Sequence, residues 1–158
     1  MREITKEVVH SFDGEDITFQ ITKMDALRGT WLMKFCVEKI LPLFNKLRDV
    51  FAQEPDDSKT DEELAKERTE QIIAILPDVL ASLSEDDVLT LEKRCLSTVK
   101  AVVPGGLHPV LSGDHFGLEE LEYDIMTTLV LCYEVIEFNL GSFFGGSLSA
   151  LRPRRQDT

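Results

Sequence analysis

The sequence predicts a mainly α fold, a helical bundle of about four to six helices with an N-terminal β-hairpin. Two observations lead to this class. Apolar residues recur at spacings of three and four along most of the chain, which is the period of amphipathic helices. Strand-like runs are confined to residues 2–23, where a turn dipeptide separates them. With 158 residues, the chain is expected to form one domain over residues 1–146, followed by a short tail over 147–158.

The predicted hairpin covers residues 2–23, and its turn lies at Asp13-Gly14. This dipeptide suits a two-residue type I′ turn, because both central positions need positive φ. The turn sets three cross-strand pairs: Val8 with Phe19, His10 with Ile17, and Lys6 with Ile21. The same register gives one face five apolar residues: Ile4, Val8, Ile17, Phe19 and Ile21. A lone hairpin is marginal in water, so this face needs a helix over it or a strand from another molecule to extend it.

A kinked helix is predicted over residues 25–52, with Asp25 as its N-cap. Two apolar stripes run along it, which indicates burial on two sides. The first stripe is Leu27, Trp31 and Phe35, and the second is Met33, Cys36, Ile40, Phe44, Leu47 and Phe51. Pro42 cannot donate to the helical hydrogen-bond ladder, so we expect a kink or a break over residues 38–41.

Two further helices are predicted after the stretch QEPDDSKTDEE, which contains no apolar residue. The first covers residues 61–83 and bends at Pro77. The second covers residues 84–102 and opens with Ser84 and Asp87, which resemble a capping box. Its inward residues are Val88, Leu91, Cys95, Val99 and Val102.

Residues 103–117 are predicted to form an irregular loop, because prolines and glycines interrupt any regular period. The loop is longer than most helix connections, which leaves two options: a packed excursion or a functional loop. A last helix is predicted over residues 118–140. Its inward stripe is Leu121, Ile125, Leu129, Cys132, Tyr133 and Ile136.

Charge and composition narrow the function classes. The net charge is −12, from 29 acidic and 17 basic residues, so phosphate backbones are repelled and no nucleic-acid partner is expected. Charged residues interrupt the long apolar stretches, so no membrane span is expected. The N-terminus lacks the apolar segment of a secretory signal, which favours the cytoplasm. Cys36, Cys95 and Cys132 are far apart and odd in number, which favours buried free thiols over disulfides or zinc.

Catalytic chemistry is sparse in this sequence. His108, Asp114 and His115 in the predicted loop are the residues that a small metal-dependent hydrolase would use. The two histidines lack the helical spacing that directs two imidazoles at one metal, so solvated side chains are the favoured interpretation. We therefore predict no catalytic residue, no metal site and no cofactor. The carboxylate clusters lie mostly at helix starts, where the macrodipole explains them; the alternative is a field that steers a basic partner segment.

An aromatic pair near the C-terminus has no place on the last helical stripe. Phe143 and Phe144 follow Gly141, where the helix is expected to end. Two interpretations stay open. The pair folds back as a cap over the bundle, or it is a partly exposed anchor for another chain, since aromatic side chains dominate interface hot spots.

Together these segments resemble the tail assembly chaperones of long-tailed bacteriophages. The resemblance is carried by the hairpin ITKEVVHSFDGEDITFQITKMDALRG, the acidic-capped middle helix and the ending YEVIEFNLGSFF. In that group the last helix often ends in an aliphatic-aromatic stretch with Asn, followed by an aromatic pair. The matching residues here are Glu134, Val135, Ile136, Glu137, Phe138 and Asn139, then Phe143 and Phe144.

The resemblance implies a non-enzymatic function in the host cell cytoplasm. Such chaperones bind the tape measure protein, keep its apolar stretches soluble, promote polymerisation of the tail tube protein and leave before the tail is complete. Our hypothesis for the partner-binding groove names five aromatic residues: Trp31, Phe35, Phe138, Phe143 and Phe144. The rival interpretation is a structural or self-assembling tail or connector component, in which hairpin edges join copies into a homo-oligomer.

Overall fold

The computed structural model describes residues 3–12, 14–42 and 60–141, and these residues have an α+β architecture. The described residues contain six strands: β1 (Thr5–Phe12), β2 (Glu15–Thr22), β3 (Val99–Val103), β4 (Gly106–Pro109), β5 (Leu111–Ser112) and β6 (His115–Phe116). The helices are α1 (Ala26–Phe35), α2 (Asp61–Ser82), α3 (Glu85–Leu96), α4 (Glu119–Glu122) and α5 (Ile125–Leu140). The first four strands form one antiparallel sheet in the order β1-β2-β3-β4, and β5 pairs with β6.

The prediction of a mainly α bundle with an appended hairpin is wrong, because the hairpin is one half of the four-stranded sheet. β2 pairs with β3 from Thr18↔Val102 to Ile21↔Val99, so the apolar face of the hairpin continues into a second hairpin. The requirement that the lone hairpin be extended is thus met within the chain itself. A strand from a second molecule is not needed for this edge of β2.

The predicted helix over residues 84–102 ends early, at Leu96. Val99 and Val102 are three residues apart, which suits one helical face, but in β3 they lie on opposite faces of the sheet. Val99 is 1% exposed and Val102 is 42% exposed. The helical ladder ends after Ser97, because the Thr98 backbone N–H donates to the Cys95 carbonyl three residues back and not to the carbonyl four residues back.

The predicted irregular loop over residues 103–117 contains β4, β5 and β6 instead. Val103 pairs with Gly106, so Pro104 and Gly105 form a two-residue turn. Gly105 has φ of +97°, and proline followed by such a glycine is the arrangement of a type II turn. The prolines and glycines therefore mark tight turns between very short strands.

The predicted register of the first hairpin is confirmed. Val8 pairs with Phe19, His10 with Ile17, and Lys6 with Ile21. Gly14 has φ of +84°, as the turn requires, while Asp13 lies outside the described residues. Ile4 was expected to face inward but is 62% exposed, because it precedes β1 at a corner of the sheet.

The start of α1 follows the prediction, since the Asp25 carboxylate accepts the backbone N–H of Arg28 at 2.9 Å. The irregularity expected over residues 38–41 takes the form of a π-helical turn over Cys36–Ile40, just before Pro42. The rest of the predicted helix, residues 43–52, lies outside the described residues. α2 begins at a capping box in which Thr60 and Glu63 bond each other's backbone, and it contains Pro77.

The last predicted helix, over residues 118–140, is divided in two. Asp124 ends the continuity, because its carboxylate caps α5 by accepting the Thr127 N–H at 3.0 Å. Ile125 was assigned to the inward stripe but is 74% exposed at the first position of α5. Leu121 of α4 is buried, as predicted.

The core lies between the inner face of the sheet and helices α1, α3 and α5. All of these elements, together with α4 and the residue before β5, contribute large fully buried side chains: Phe19, Ile21, Leu32, Leu96, Val99, Val110, Leu121, Leu131 and Val135. Burial of a side chain of this size contributes about 1.5–3 kcal/mol. No helix in residues 3–12, 14–42 and 60–141 is long and apolar enough to cross a membrane.

Candidate partner-binding surfaces

The end of α5 holds the N-terminal hairpin in place. His10 Nε2 of β1 and Glu134 Oε2 of α5 are hydrogen-bonded at 3.0 Å. One turn later, the Lys23 ammonium lies 5.1 Å from the centroid of the Phe138 ring. These contacts bind the hairpin at both ends of β1 and β2 to the same helix.

Asn139 completes this attachment. Its Oδ1 accepts the backbone N–H of Met24 at 2.9 Å, and its Nδ2 donates to the Val135 carbonyl at 2.9 Å. Met24 belongs to the linker between β2 and α1, so one amide fixes the path of the chain into α1. The stretch from Glu134 to Asn139 therefore orders the fold, and this role explains why asparagine suits that position.

Trp31 and Phe35 are stacked on α1, with ring centroids 5.3 Å apart and an interplanar angle of 29°. Phe35 is only 8% exposed and belongs to the core, so it is not accessible to a partner. Trp31 is half-buried, and the Arg94 guanidinium lies 4.2 Å from its ring centroid. Phe138 is also half-buried, beneath Lys23. Phe143 and Phe144 lie outside the described residues.

A cationic cleft of about 280 Å³ opens beside Trp31. Five residues line this cationic cleft: Met24, Arg28, Lys93, Arg94 and Ser97. They come from the linker, α1 and the C-terminal end of α3, so no local sequence pattern indicates that they meet. The two basic residues of α3 lie in its last turn, where the helix macrodipole favours cations. The placement of Lys93 and Arg94 in the last helical turn is the one feature of the sequence that points to this cleft.

Lys93 also links the cleft to the β5–β6 turn. Its Nζ lies 2.8 Å from Asp114 Oδ1, and both side chains are exposed. The hydrogen bond from Lys93 and its charge, with a smaller effect of His115, hold the pKa of Asp114 below its usual value, against a small opposing effect of desolvation. The hydrolase hypothesis joined His108, Asp114 and His115. In the structure Asp114 forms an exposed ion pair with Lys93, and the two histidines are exposed residues of β4 and β6. In the described part of the chain, no group of three or more His, Cys, Asp or Glu residues is arranged to hold a metal ion.

A second surface lies on the outer face of the sheet. One residue from each strand is paired in a continuous row: Val9, Thr18, Val102 and Leu107. In this outer row Val9 is 58%, Val102 42% and Leu107 48% exposed. Neighbouring strands are about 4.8 Å apart, so the row extends about 14 Å across the sheet. Sequence reasoning missed it, because Val102 was placed inside a helix and Leu107 in a loop.

The three cysteines meet in the core rather than at a surface. Cys36, Cys95 and Cys132 are free and buried, as predicted. Burial, together with the nearby Cys95, raises the pKa of the Cys36 thiol to about 12. A hydrogen bond with Cys95, then burial, raises the pKa of Cys132 well above its usual value. The raised pKa keeps the thiols of Cys36 and Cys132 protonated near neutral pH, which makes these two poor nucleophiles.

A protein-family model described as phage tail assembly chaperone protein, TAC, matches residues 15–150. The chain belongs to this family. The match begins in β2 and extends through the Glu134 to Asn139 stretch that attaches the hairpin to α5. It confirms the resemblance to tail assembly chaperones. No curated protein and no solved structure matched the chain.

Proposed function

We propose that this tail assembly chaperone binds the tape measure protein in the host cell cytoplasm and keeps its apolar stretches soluble. It then promotes polymerisation of the tail tube protein and leaves before the tail is complete. Family membership supports the chaperone role in tail assembly. The tape measure protein and the tail tube protein are the partners that the resemblance to tail assembly chaperones implies. No catalytic step is part of this proposal.

The observation that carries the proposal is the apolar outer row of the sheet. Three aliphatic side chains in register on one exposed face, with Thr18 between them, form a continuous surface that water solvates poorly. The next row, Glu7, Gln20, Lys100 and Pro109, is mostly polar and borders it. An apolar centre with a polar rim is the usual composition of a protein interface.

On this account, the described aromatic candidates for partner contact narrow to Trp31 of α1 and Phe138 of α5. Phe35 is excluded as a contact by its burial, whereas Trp31 and Phe138 each keep part of the ring accessible. Phe143 and Phe144 stay in the proposal as candidate anchors. Their role depends on experiment, since they lie outside the described residues.

The test is capture of co-expressed tape measure protein by tagged chaperone. The variant Val102→Lys/Leu107→Lys places two charges in the outer row and should reduce the captured amount at least roughly tenfold. Leu89→Lys is the matched control, because Leu89 is a 46% exposed side chain of α3 outside the row. Equal capture by all three proteins would exclude the outer row as the binding surface.

The free edge of β1 favours a second candidate, a structural component that joins copies through its sheet. In the described residues β1 pairs only with β2, so its other edge can accept a strand. Mass spectrometry of purified mature particles separates the two functions. A retained component is present there in stoichiometric amounts, whereas the chaperone is absent.

A further inference from the structure

The cationic cleft has the opposite sign to the rest of the molecule. The chain carries a net charge of −12, yet three of the five residues that line this cleft are Arg28, Lys93 and Arg94. We propose that the cationic cleft binds an acidic segment of the protein that the chaperone holds, with carboxylate side chains next to apolar ones. This inference rests on the proposed function and names the chemistry of one segment of its partner. It is opposite in sign to the alternative raised from the sequence, in which the carboxylate clusters steer a basic partner segment.

The stacking of Arg94 on Trp31 favours carboxylate binding. Its guanidinium lies over the Trp31 ring at 4.2 Å, so one face of the planar group is covered and its position is restricted. A stacked guanidinium keeps the N–H groups at its edge available for two parallel bonds to a carboxylate. Within the described residues, no carboxylate forms an ion pair with Arg94.

The other two cations have partners that an incoming carboxylate can replace at low cost. Lys93 is paired with Asp114, but the side chains are 54% and 77% exposed. Arg28 Nε lies 3.7 Å from Asp25 Oδ2, and this pair is also exposed. Exposed ion pairs contribute little to stability, so exchange of one carboxylate for another is nearly neutral.

The end of α3 does not cancel this positive charge. Helix C-termini repel anions through unpaired carbonyls. Here Ser97 donates its N–H to the Lys93 carbonyl and its hydroxyl to the Arg94 carbonyl. Thr98 donates both its N–H and its hydroxyl to the Cys95 carbonyl. Three of the last four carbonyls of α3 thus accept hydrogen bonds, and an acidic segment meets the cations and the apolar Met24 side chain.

The experiment titrates the full chain with an acetylated octaglutamate peptide at low ionic strength. Trp31 is the only tryptophan, so its fluorescence reports directly on the residue beneath Arg94. We expect a saturable change in emission and a matching heat in calorimetry. Octalysine should give neither at this site. The net charge of the chain repels octaglutamate, so saturable binding requires a local positive site.

Arg94→Gln should weaken octaglutamate binding roughly tenfold, the loss expected for one charge-assisted bidentate contact. Lys93→Gln provides a second variant that leaves the Trp31 stacking intact. Lys34→Gln is the control, since this exposed α1 lysine pairs with Glu38 and does not line the cleft. Absence of saturable binding, or equal affinity in the wild type and both cleft variants, would overturn the proposal. An equal loss in Lys34→Gln would do so too.

The two proposals fail separately. The peptide titration contains no tape measure protein, so a negative result removes the acidic-segment site and leaves the proposed function intact. Conversely, if the chain binds octaglutamate but captures no tape measure protein, the tape measure protein is rejected as the partner and the acidic-segment site is retained.

Discussion

Asn139 joins the last helix to the linker that precedes α1. Its two hydrogen bonds connect Met24 with Val135, so the amide acts on both the hairpin and the helix. Replacement by alanine leaves the Met24 N–H without its acceptor in a half-buried position. Such a loss typically costs about 1–3 kcal/mol.

We therefore expect Asn139→Ala to lower the free energy of unfolding by about 1–3 kcal/mol in a urea titration. Thr90→Ala, at an exposed position of α3, is the control and should change it by less than about 0.5 kcal/mol. Equal stability of Asn139→Ala and the wild type would show that the amide does not anchor the hairpin.

The Cys36 thiol makes stability depend on alkaline pH. Its pKa is raised to about 12 by burial, so the folded chain keeps the proton when the unfolded chain releases it near pH 9.0. The contribution is fully present below the unfolded pKa and is lost as pH rises toward the folded pKa. Stabilisation by Cys36 therefore declines above about pH 9.

The stability difference between the wild type and Cys36→Ala should therefore be smaller at about pH 10.5 than at neutral pH. Val135→Ala is the control, because it also removes buried atoms but no ionisable group. Denaturant titrations at both pH values measure the two differences. A Cys36→Ala difference that stays constant would contradict the raised pKa.

At the scale of elements, the first hairpin was predictable because Asp13-Gly14 sets its register locally. β3 was not, because its five residues are too few to separate a period of two from one of three. The spacing of Val99 and Val102 fits a helix. These residues form a strand because they pair with β2, which is distant in the sequence. The break before α5 was missed for a similar reason: Asp124 inside an acidic stretch gave no clear stop signal.

The β3–β4 turn depends on the backbone of Gly105. An alanine there would be strained by φ of +97° although no atom lies within 4 Å of the added Cβ, so Gly105→Ala should cost about 1–3 kcal/mol. Gly29→Ala is the matched control in α1, where nothing opposes the methyl group and a gain of about 0.5–1 kcal/mol is expected. Thermal unfolding measures both. Equal effects of the two substitutions would contradict the assignment of this turn.

At the scale of the whole molecule, the sequence predicted the family and the overall chemistry of the chain, but not the candidate surfaces. The negative charge, the free cysteines and the family resemblance follow from the sequence. The cationic cleft requires α1 and α3 to pack so that Arg94 covers Trp31, and the outer row requires the pairing of four strands. Both depend on long-range packing, which local periodicity does not encode.

The acidic residues of α3 lie at the end of the helix opposite to the cationic cleft. Glu85, Asp86 and Asp87 occupy the first turn of α3, and Glu119, Glu120 and Glu122 lie in α4. At the α3 N-terminus these charges stabilise the helix through its macrodipole. The cations of the cleft lie at the opposite end of α3, so one helix separates the two signs of charge.

The most direct test of the central claim is the solubility of the tape measure protein. The protein is expressed alone, with the wild-type chaperone, or with Val102→Lys/Leu107→Lys, and its amount is measured in supernatant and pellet after centrifugation. We predict that the wild type moves most of it into the supernatant, where both proteins co-elute in gel filtration, and that the variant does so far less. Tape measure protein that stays in the pellet with the wild-type chaperone would contradict the claim.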